Sequence, residues 1–189
     1  MLYKLIEWDK ELFLFLNSKH IGWLDPVMLV LSSYPCWIVV CLTMVAIIYF
    51  RGRERNLHAT VFFLVSIGCS ALLTNLVKFV IGRPRPIHNT DWGDTIHAIE
   101  KYSTSSSFFS SHSATTFTMA VFFFLFFRSN KLFGWIAILW ATTVAYSRIY
   151  LAKHYPFDVF CGIVFGSLIG VLGYKLYEYY KKKNETLEA

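Results

Sequence analysis

Charged residues are scarce in this chain of 189 residues, since Asp, Glu, Lys and Arg together make up only 16% of it. Hydrophobic residues account for 56%, and 19% of all residues are aromatic. An average soluble domain contains roughly 25% charged residues, so this composition argues against a soluble globular protein. Long apolar runs instead favour an integral membrane protein.

Cysteine is also rare, and its positions exclude two further classes of protein. The four cysteines all lie in apolar stretches and are Cys36, Cys41, Cys69 and Cys161. They form no Cys-x-x-Cys pair and have no Cys/His spacing typical of zinc ligands. We therefore interpret them as packing residues and predict neither a disulfide framework nor a zinc site.

The first residues lack the pattern of a cleavable signal peptide. Lys4, Glu7, Asp9, Lys10 and Glu11 interrupt the apolar residues of segment 1–15, whereas a signal peptide has an unbroken apolar region. We expect insertion to rely on the first spanning helix. The net charge of +6 mostly reflects topology in a membrane protein, so we predict no binding to nucleic acid.

The apolar pattern predicts an all-α fold, an integral membrane helical bundle with five spanning helices of roughly 20 residues each. The candidate spans are 27–50, 57–81, 111–127, 132–150 and 157–177. Pro35 is expected to kink the first span. A stripe of glycines three or four residues apart predicts close packing of the last span against a neighbouring helix. These glycines are Gly162, Gly166, Gly170 and Gly173.

Three polar segments complete a single membrane-embedded domain, 1–189. Residues 1–20 mix apolar and charged side chains, which predicts an amphipathic helix lying in the membrane interface. Residues 178–189 form a predicted polar C-terminal tail. Segment 82–109 is a long polar loop, and we interpret it as an active-site loop because loops of this length are usually functional.

The distribution of basic residues predicts the orientation of the bundle. Five spans put the N-terminus, loop 82–109 and turn 151–156 on one face, and Lys and Arg divide nine to nine between the two faces. Lys78, Arg85 and Arg148 are candidates for chemistry, and without them the division is six to nine. This excess favours a cytoplasmic location for the opposite face, which carries the C-terminus.

Ionisable residues at helix ends are the strongest functional signal, because such groups are costly in a membrane and are usually functional. Lys78 lies one turn before the end of the second span, and His112 lies at the start of the third. Arg148 ends the fourth span, while His154 and Asp158 flank the start of the fifth. Alternating topology puts all these ends on one side, so we predict that they form one pocket.

The residue types in this predicted pocket suit the binding and attack of a tetrahedral oxyanion. Arginine binds such an anion with two parallel hydrogen bonds, and lysine binds it as a point charge. The first N–H groups of the third helix, at Ser111 and His112, also favour an anion. Two histidines suit nucleophilic and general-acid roles, and Asp158 is placed to fix the tautomer of His154.

Each residue has a simpler interpretation when it is considered alone. Lys78 and Arg148 are compatible with snorkelling to the interface, His112 with a helix cap, and His154 and Asp158 with a local i,i+4 pair. We favour one anion site because the cation, histidine and carboxylate roles are all filled on one face. The remaining candidates are interpreted as solvated loop residues, with contact to a lipid head group left open: Arg83, His88, His97, Lys101 and Lys153.

Three short stretches carry these residues and resemble a known family. "KFVIGRPRP" contains Lys78 and Arg85, "FSSH" ends at His112, and "SRIYLAKHYPFD" runs from Ser147 to Asp158. Their spacing resembles the motifs of the type 2 phosphatidic acid phosphatase (PAP2) superfamily, which also contains vanadium haloperoxidases. The first family motif is a Lys followed after six residues by Arg-Pro. The second is Pro-Ser-Gly-His, and the third is Ser-Arg-x5-His-x3-Asp.

The first and third motifs match the family pattern, whereas the second departs from it. "FSSH" keeps Ser110 and His112, but Phe109 replaces proline and Ser111 replaces glycine. Glycine allows a close backbone approach or a positive φ, and serine narrows that freedom. We therefore expect this loop to bind phosphate somewhat differently from other members, or the Ser111 hydroxyl to add a contact.

The resemblance implies hydrolysis through a phosphohistidine. His154 would attack phosphorus, Asp158 would orient and polarise it, and His112 would protonate the leaving oxygen and then activate water. The groups implied to bind phosphoryl oxygens are Lys78, Arg85, Arg148, Ser110 and the backbone N–H of Ser111. Because cations do this electrostatic work, the resemblance implies no metal and no cofactor.

The same resemblance implies a lipid phosphatase or diphosphatase of the bacterial inner membrane, with its active site facing the periplasm. Undecaprenyl diphosphate, lipid A phosphate and phosphatidylglycerol phosphate stay open as substrates, and so does the oligomeric state. The alternatives are a lipid-to-lipid phosphotransferase and a non-catalytic membrane protein that binds or transports a lipid or anion. A vanadate-dependent oxidase is disfavoured, because known members are largely soluble.

Overall fold

The structure, a computed structural model, consists mainly of α-helices. It describes residues 2–51, 56–92, 95–100, 105–128 and 131–188. The helices are α1 (Leu2–Asn17), α2 (Asp25–Ser32), α3 (Tyr34–Phe50), α4 (Leu57–Ile81), α5 (Ser111–Phe126), α6 (Lys131–Tyr150) and α7 (Pro156–Glu188). Short 3-10 turns lie at Gly22–Leu24 and Pro86–His88. No strand occurs within the described ranges, and the predicted all-α membrane bundle is confirmed.

Three of the described segments are long and apolar enough to cross a membrane by length and composition, namely Leu57–His88, Lys131–Tyr150 and Pro156–Leu187. The pair α2 and α3 adds a fourth candidate, bent by 55°. Helix α5 has only 16 residues and is about 24 Å long at 1.5 Å per residue, which is short for a span. The count of five spanning helices therefore stays a prediction.

The bend between α2 and α3 lies where the proline was expected to act. Helix α2 ends at Ser32, and Ser33 caps α3 by accepting a hydrogen bond from the N–H of Cys36. Pro35 lies in the first turn of α3, where its missing N–H costs no helical hydrogen bond. The break exposes backbone and hydroxyl groups of a polar elbow inside an otherwise apolar stretch.

Helix α5 forms the centre of the bundle and packs against α4, α6 and α7. The glycine stripe of α7 makes the closest of these approaches possible. A Cβ atom at Gly166 would lie 2.0 Å from the carbonyl oxygen of Ala114, and one at Gly162 would lie 2.7 Å from that of Ser110. Thr118 also donates from its hydroxyl to the Gly166 carbonyl at 3.0 Å. The predicted close packing is confirmed, and it fixes the start of α5 beside the start of α7.

Helix α1, the loop after α4 and the turn before α7 meet at one end of the bundle. Asn17 of α1 donates to the carbonyl of Tyr150 at 2.9 Å and accepts from the N–H of His97 at 2.7 Å. Asp9 accepts from the N–H of Phe157 at 2.8 Å. These contacts agree with the prediction that the N-terminus, loop 82–109 and turn 151–156 lie on one face of the bundle. At the other end, the predicted tail 178–189 continues α7 as a helix up to Glu188.

Candidate active site

A cavity of about 1060 Å³ lies where α4, α5 and α6 end or begin beside the α2–α3 elbow. Six of the eight predicted site residues line it: Lys78, Arg85, Ser111, His112, Arg148 and His154. Apolar side chains form another part of its wall: Leu29, Val30, Pro35, Trp37 and Ala71. The other two predicted residues, Ser110 and Asp158, do not line the cavity and are fully buried.

The turn after α4 brings two cations to this cavity. Gly82 ends α4 with a φ of 62°, a left-handed conformation that glycine adopts without a Cβ clash. The chain therefore reverses one turn after Lys78 and returns Arg85 to the same place. Lys78 donates from Nζ to the carbonyl of Ser106 at 2.7 Å. Arg85 donates from Nε to the carbonyl of Ser105 at 2.8 Å.

Arg148 supplies the third cation and is 7% exposed. Its Nη1 atom bonds the hydroxyl of Ser32 at the α2–α3 elbow. Its Nε atom is buried with no hydrogen-bond partner within the described part of the chain. A buried donor without a partner is costly, and a phosphate oxygen in the cavity would satisfy it.

His154 lies in the turn between α6 and α7 and is 1% exposed. Its Nε2 atom is 3.5 Å from Nη1 of Arg85. Burial first, and then the positive charges of Arg148, Arg85 and Lys78, hold the pKa of His154 well below its ordinary value. The imidazole is therefore neutral at pH 7 and keeps a lone pair on one ring nitrogen.

Asp158 lies behind His154 and accepts three hydrogen bonds. Arg83 donates from Nη1 to Oδ1 at 2.5 Å, the N–H of Tyr155 donates to Oδ2 at 3.0 Å, and the Ser107 hydroxyl also donates to Oδ2. The distance from Oδ2 to Nδ1 of His154 is 3.9 Å. The carboxylate is thus held rigidly beside the imidazole without a direct hydrogen bond to it.

The start of α5 presents one histidine and two backbone donors. Nε2 of His112 lies 3.2 Å from the carbonyl oxygen of Ser32. Ser111 and His112 are the first residues of α5, where N–H groups have no partner within the helix. The Ser110 hydroxyl caps the helix by accepting from the N–H of Ser113 at 3.3 Å. A phosphate contact from Ser110 would require this hydroxyl to turn, and its role stays a prediction.

Two residues interpreted as solvated are not solvated, and for these the sequence-based interpretation is wrong. Arg83 pairs with two carboxylates and stacks over the ring of Tyr155 at 4.1 Å, because it lies between α1 and α7. Lys153 is 3% exposed and bonds the Glu100 carboxylate at 3.0 Å. His97 bonds Asp25 at 3.0 Å and is partly buried, His88 is exposed, and Lys101 lies outside the described residues.

Sequence reasoning also missed three residues that contact the site, and each had only a weak signal. Ser107 belongs to a run of polar residues that reads as ordinary loop. Ser32 is a small polar residue three positions before Pro35 in a largely apolar stretch. Arg83 stands in the repeat Arg-Pro-Arg-Pro, where the family-like spacing from Lys78 selects Arg85 instead. No cluster of three or more metal-ligating side chains is found among the described residues.

A helical membrane bundle with a cavity lined by cations and histidines is typical of a membrane enzyme that acts on phosphate groups. Residues 59–182 match the model of the PAP2 superfamily. This match covers more than half of the chain, which therefore belongs to the PAP2 superfamily. It is a membrane phosphatase, a hydrolase of lipid phosphates.

Individual relatives agree with this membership. The chain is 26% identical over 182 residues to the lipid A 4'-phosphatase of Porphyromonas gingivalis, covering 95% of this chain and 77% of the relative. It is 30% identical over 174 residues to an undecaprenyl-diphosphatase of Sulfolobus acidocaldarius, covering 90% of this chain and 79% of the relative. The PAP2-type phosphatidylglycerolphosphate phosphatase of Bacillus subtilis shares the fold with a TM-score of 0.70 at 21% identity, covering 95% and 87%.

Proposed function

We propose that the protein hydrolyses a phosphomonoester or diphosphate of a membrane lipid through a phosphohistidine at His154. The observation that carries this proposal is the orientation of one imidazole. Nδ1 of His154 faces Ser107 and Asp158, and Nε2 faces Arg85 on the cavity side. A histidine nucleophile needs a lone pair directed at phosphorus and a fixed tautomer. Nε2 directs its lone pair to the cavity side, where Nη1 of Arg85 lies 3.5 Å away, and Nδ1 faces the groups that fix the tautomer.

Three of the cations that line the cavity would bind the phosphoryl oxygens. Lys78, Arg85 and Arg148 all line it, and the unpartnered Nε of Arg148 is an available donor. The backbone N–H groups at the start of α5 add a partial positive charge. This charge would stabilise the additional negative charge on the equatorial oxygens during attack, which is the largest catalytic contribution in many phosphoryl transfers.

His112, which also lines the cavity, would serve both steps of the reaction. In the first step the bond between Nε2 of His154 and phosphorus forms, the bond to the leaving oxygen breaks, and protonated His112 gives that oxygen a proton and becomes neutral. In the second step water attacks phosphorus, its proton goes to His112, and the phosphorus–nitrogen bond breaks. Phosphate leaves and both histidines return to their starting protonation states.

The apolar wall supports a lipid as the substrate. Val30, Trp37 and Ala71 line the cavity together with its cations, so an acyl or prenyl tail would contact them while the phosphate binds at the polar end. We propose undecaprenyl diphosphate, lipid A phosphate or phosphatidylglycerol phosphate as substrate types, because relatives named for each of them align over most of the chain. We further propose a location in a bacterial inner membrane, and the distribution of basic residues favours a cavity that faces the periplasm.

Phosphate release from these three lipids by the purified protein tests the proposal. We expect release from at least one lipid without an acceptor lipid, no effect of EDTA, and inhibition by vanadate. His154→Ala should abolish release, whereas His58→Ala, an exposed histidine at the other end of α4, should not. Transfer only in the presence of an acceptor lipid would favour a phosphotransferase, and full activity of His154→Ala would exclude the mechanism.

A further inference from the structure

The proposed nucleophile and its carboxylate do not touch each other. Nδ1 of His154 and Oδ2 of Asp158 are 3.9 Å apart, whereas an N–H···O hydrogen bond spans about 2.7–3.2 Å. The hydroxyl of Ser107 lies between them. Its oxygen is 3.4 Å from Nδ1 of His154, and it donates to Oδ2 of Asp158. The hydrogen-bonded connection between Asp158 and His154 therefore passes through this hydroxyl.

Burial and backbone contacts hold Ser107 in this place. Ser107 and Asp158 are 0% exposed and His154 is 1% exposed. The N–H of Ser107 donates to the carbonyl of Arg83 at 2.7 Å, and Nζ of Lys78 lies 3.4 Å from the Ser107 carbonyl. The serine is thus fixed by the segment that also supplies the cations.

The single proton of the serine hydroxyl decides which nitrogen of His154 carries a proton. The Asp158 carboxylate, paired with Arg83, only accepts hydrogen bonds, so the hydroxyl must donate to it. The serine oxygen then presents a lone pair to Nδ1, and Nδ1 must be the donor. The proton of neutral His154 accordingly lies on Nδ1, and the lone pair lies on Nε2 at the cavity. The contact of 3.4 Å is long, as catalytic hydrogen bonds often are before a substrate binds.

We propose that Ser107 is a positioning residue through which Asp158 orients and polarises His154. The inference rests on the proposed function, since it takes His154 as the nucleophile. When Nε2 attacks phosphorus, the imidazole becomes positively charged. The Asp158 carboxylate stabilises that charge through two successive hydrogen bonds. One runs from Nδ1–H of His154 to the Ser107 hydroxyl, and the other runs from that hydroxyl to Asp158.

A double-mutant cycle separates this role from a merely structural one. In the wild-type background we expect Ser107→Ala to lower kcat by about 10- to 100-fold with KM changed by less than about threefold, and Asp158→Asn to lower kcat by more. In the Asp158→Asn background, Ser107→Ala should cost less than about threefold, because the group it connects is already gone. Ser107→Thr, which keeps the hydroxyl, should recover most of the lost kcat.

Folding is checked by the thermal midpoint of each detergent-purified variant, and Ser107→Cys supplies a variant of similar volume with only a weak donor. An equal loss from Ser107→Ala in both backgrounds, or no loss in the wild-type background, would overturn the inference. The proposed function is judged separately. Suppose that the wild-type protein releases phosphate and His154→Ala does not, but the kcat losses from Ser107→Ala and Asp158→Asn multiply in the double variant. In that case only the proposed role of Ser107 fails. If His154→Ala is fully active, both fail.

Discussion

Asp9 of α1 and Asp158 of α7 are joined by one guanidinium group. Arg83 donates from Nη2 to Asp9 at 2.7 Å and from Nη1 to Asp158 at 2.5 Å. Asp9 also accepts from the N–H of Phe157 at the start of α7. The amphipathic N-terminal helix is therefore attached to the carboxylate behind the proposed nucleophile, and it forms part of the support of the site.

Removing the charge of Asp9 should therefore loosen this support. We expect Asp9→Asn to destabilise the protein by about 1.5–3 kcal/mol, the usual range for hydrogen bonds to charged groups, and to lower kcat several-fold. Glu11→Gln changes an exposed carboxylate on the same helix and should leave both unchanged. Thermal unfolding in detergent and phosphate release measure the two effects. Equal behaviour of the two variants would show that α1 does not support the site.

The contact between α5 and α7 offers a second test, because α5 begins at the site. A Cβ at position 166 would lie 2.0 Å from a backbone oxygen of α5, so Gly166→Ala forces the helices apart. We expect a loss of about 1–3 kcal/mol, typical of overpacking. Gly68→Ala is the control, since nothing lies within 4 Å of a Cβ there. A thermal midpoint for Gly166→Ala at or above that of Gly68→Ala would contradict the packing described.

Arg148 tests the proposed phosphate contacts. Lysine keeps the positive charge but loses the planar fork and the Nε donor, so Arg148→Lys should lower kcat/KM by roughly 100-fold or more, as loss of one oxyanion donor does. Arg128→Lys makes the same change at an arginine whose side chain is 70% exposed and should have little effect. If Arg148→Lys keeps wild-type kcat/KM, the guanidinium does not contact the transferred phosphate.

Orientation in the membrane is tested by labelling. Thr90 is exposed in the loop beside the cavity, and Lys182 is exposed near the far end of α7. With the proposed orientation, an impermeant thiol reagent added to intact cells should label Thr90→Cys but not Lys182→Cys, using the wild-type protein to measure reaction of the native cysteines. The reverse pattern would place the cavity on the cytoplasmic side.

Much of the site could be predicted from the sequence, because its charged members stand out against apolar helices. Lys78, His112 and Arg148 lie at helix ends where a membrane makes charge costly, and topology alone places those ends on one side. The glycine stripe likewise predicted the contact of α7 through a simple rule of close packing. These signals depend on local sequence and the bilayer, so no tertiary information was needed.

The residues that sequence reasoning missed depend on contacts between distant segments. Ser107 and Ser32 are small polar residues whose roles arise only when the loop and the α2–α3 elbow meet α7 and α6. Arg83 reads as a loop cation until α1 brings Asp9 to it. The span count is also open, because the elbow divides one apolar stretch and α5 is short. No local pattern encodes these arrangements.

Trapping the phosphohistidine intermediate tests most directly whether His154 carries the phosphoryl group. Wild-type protein is mixed with lipid substrate labelled with ³²P at its terminal phosphate and quenched in alkali within milliseconds to seconds. If His154 carries the phosphoryl group, the protein should carry label that is stable in alkali, labile in acid and located at His154 by peptide mapping, and His154→Ala should carry none. Rapid phosphate release without labelled protein at any quench time, or equal labelling of His154→Ala, would contradict it.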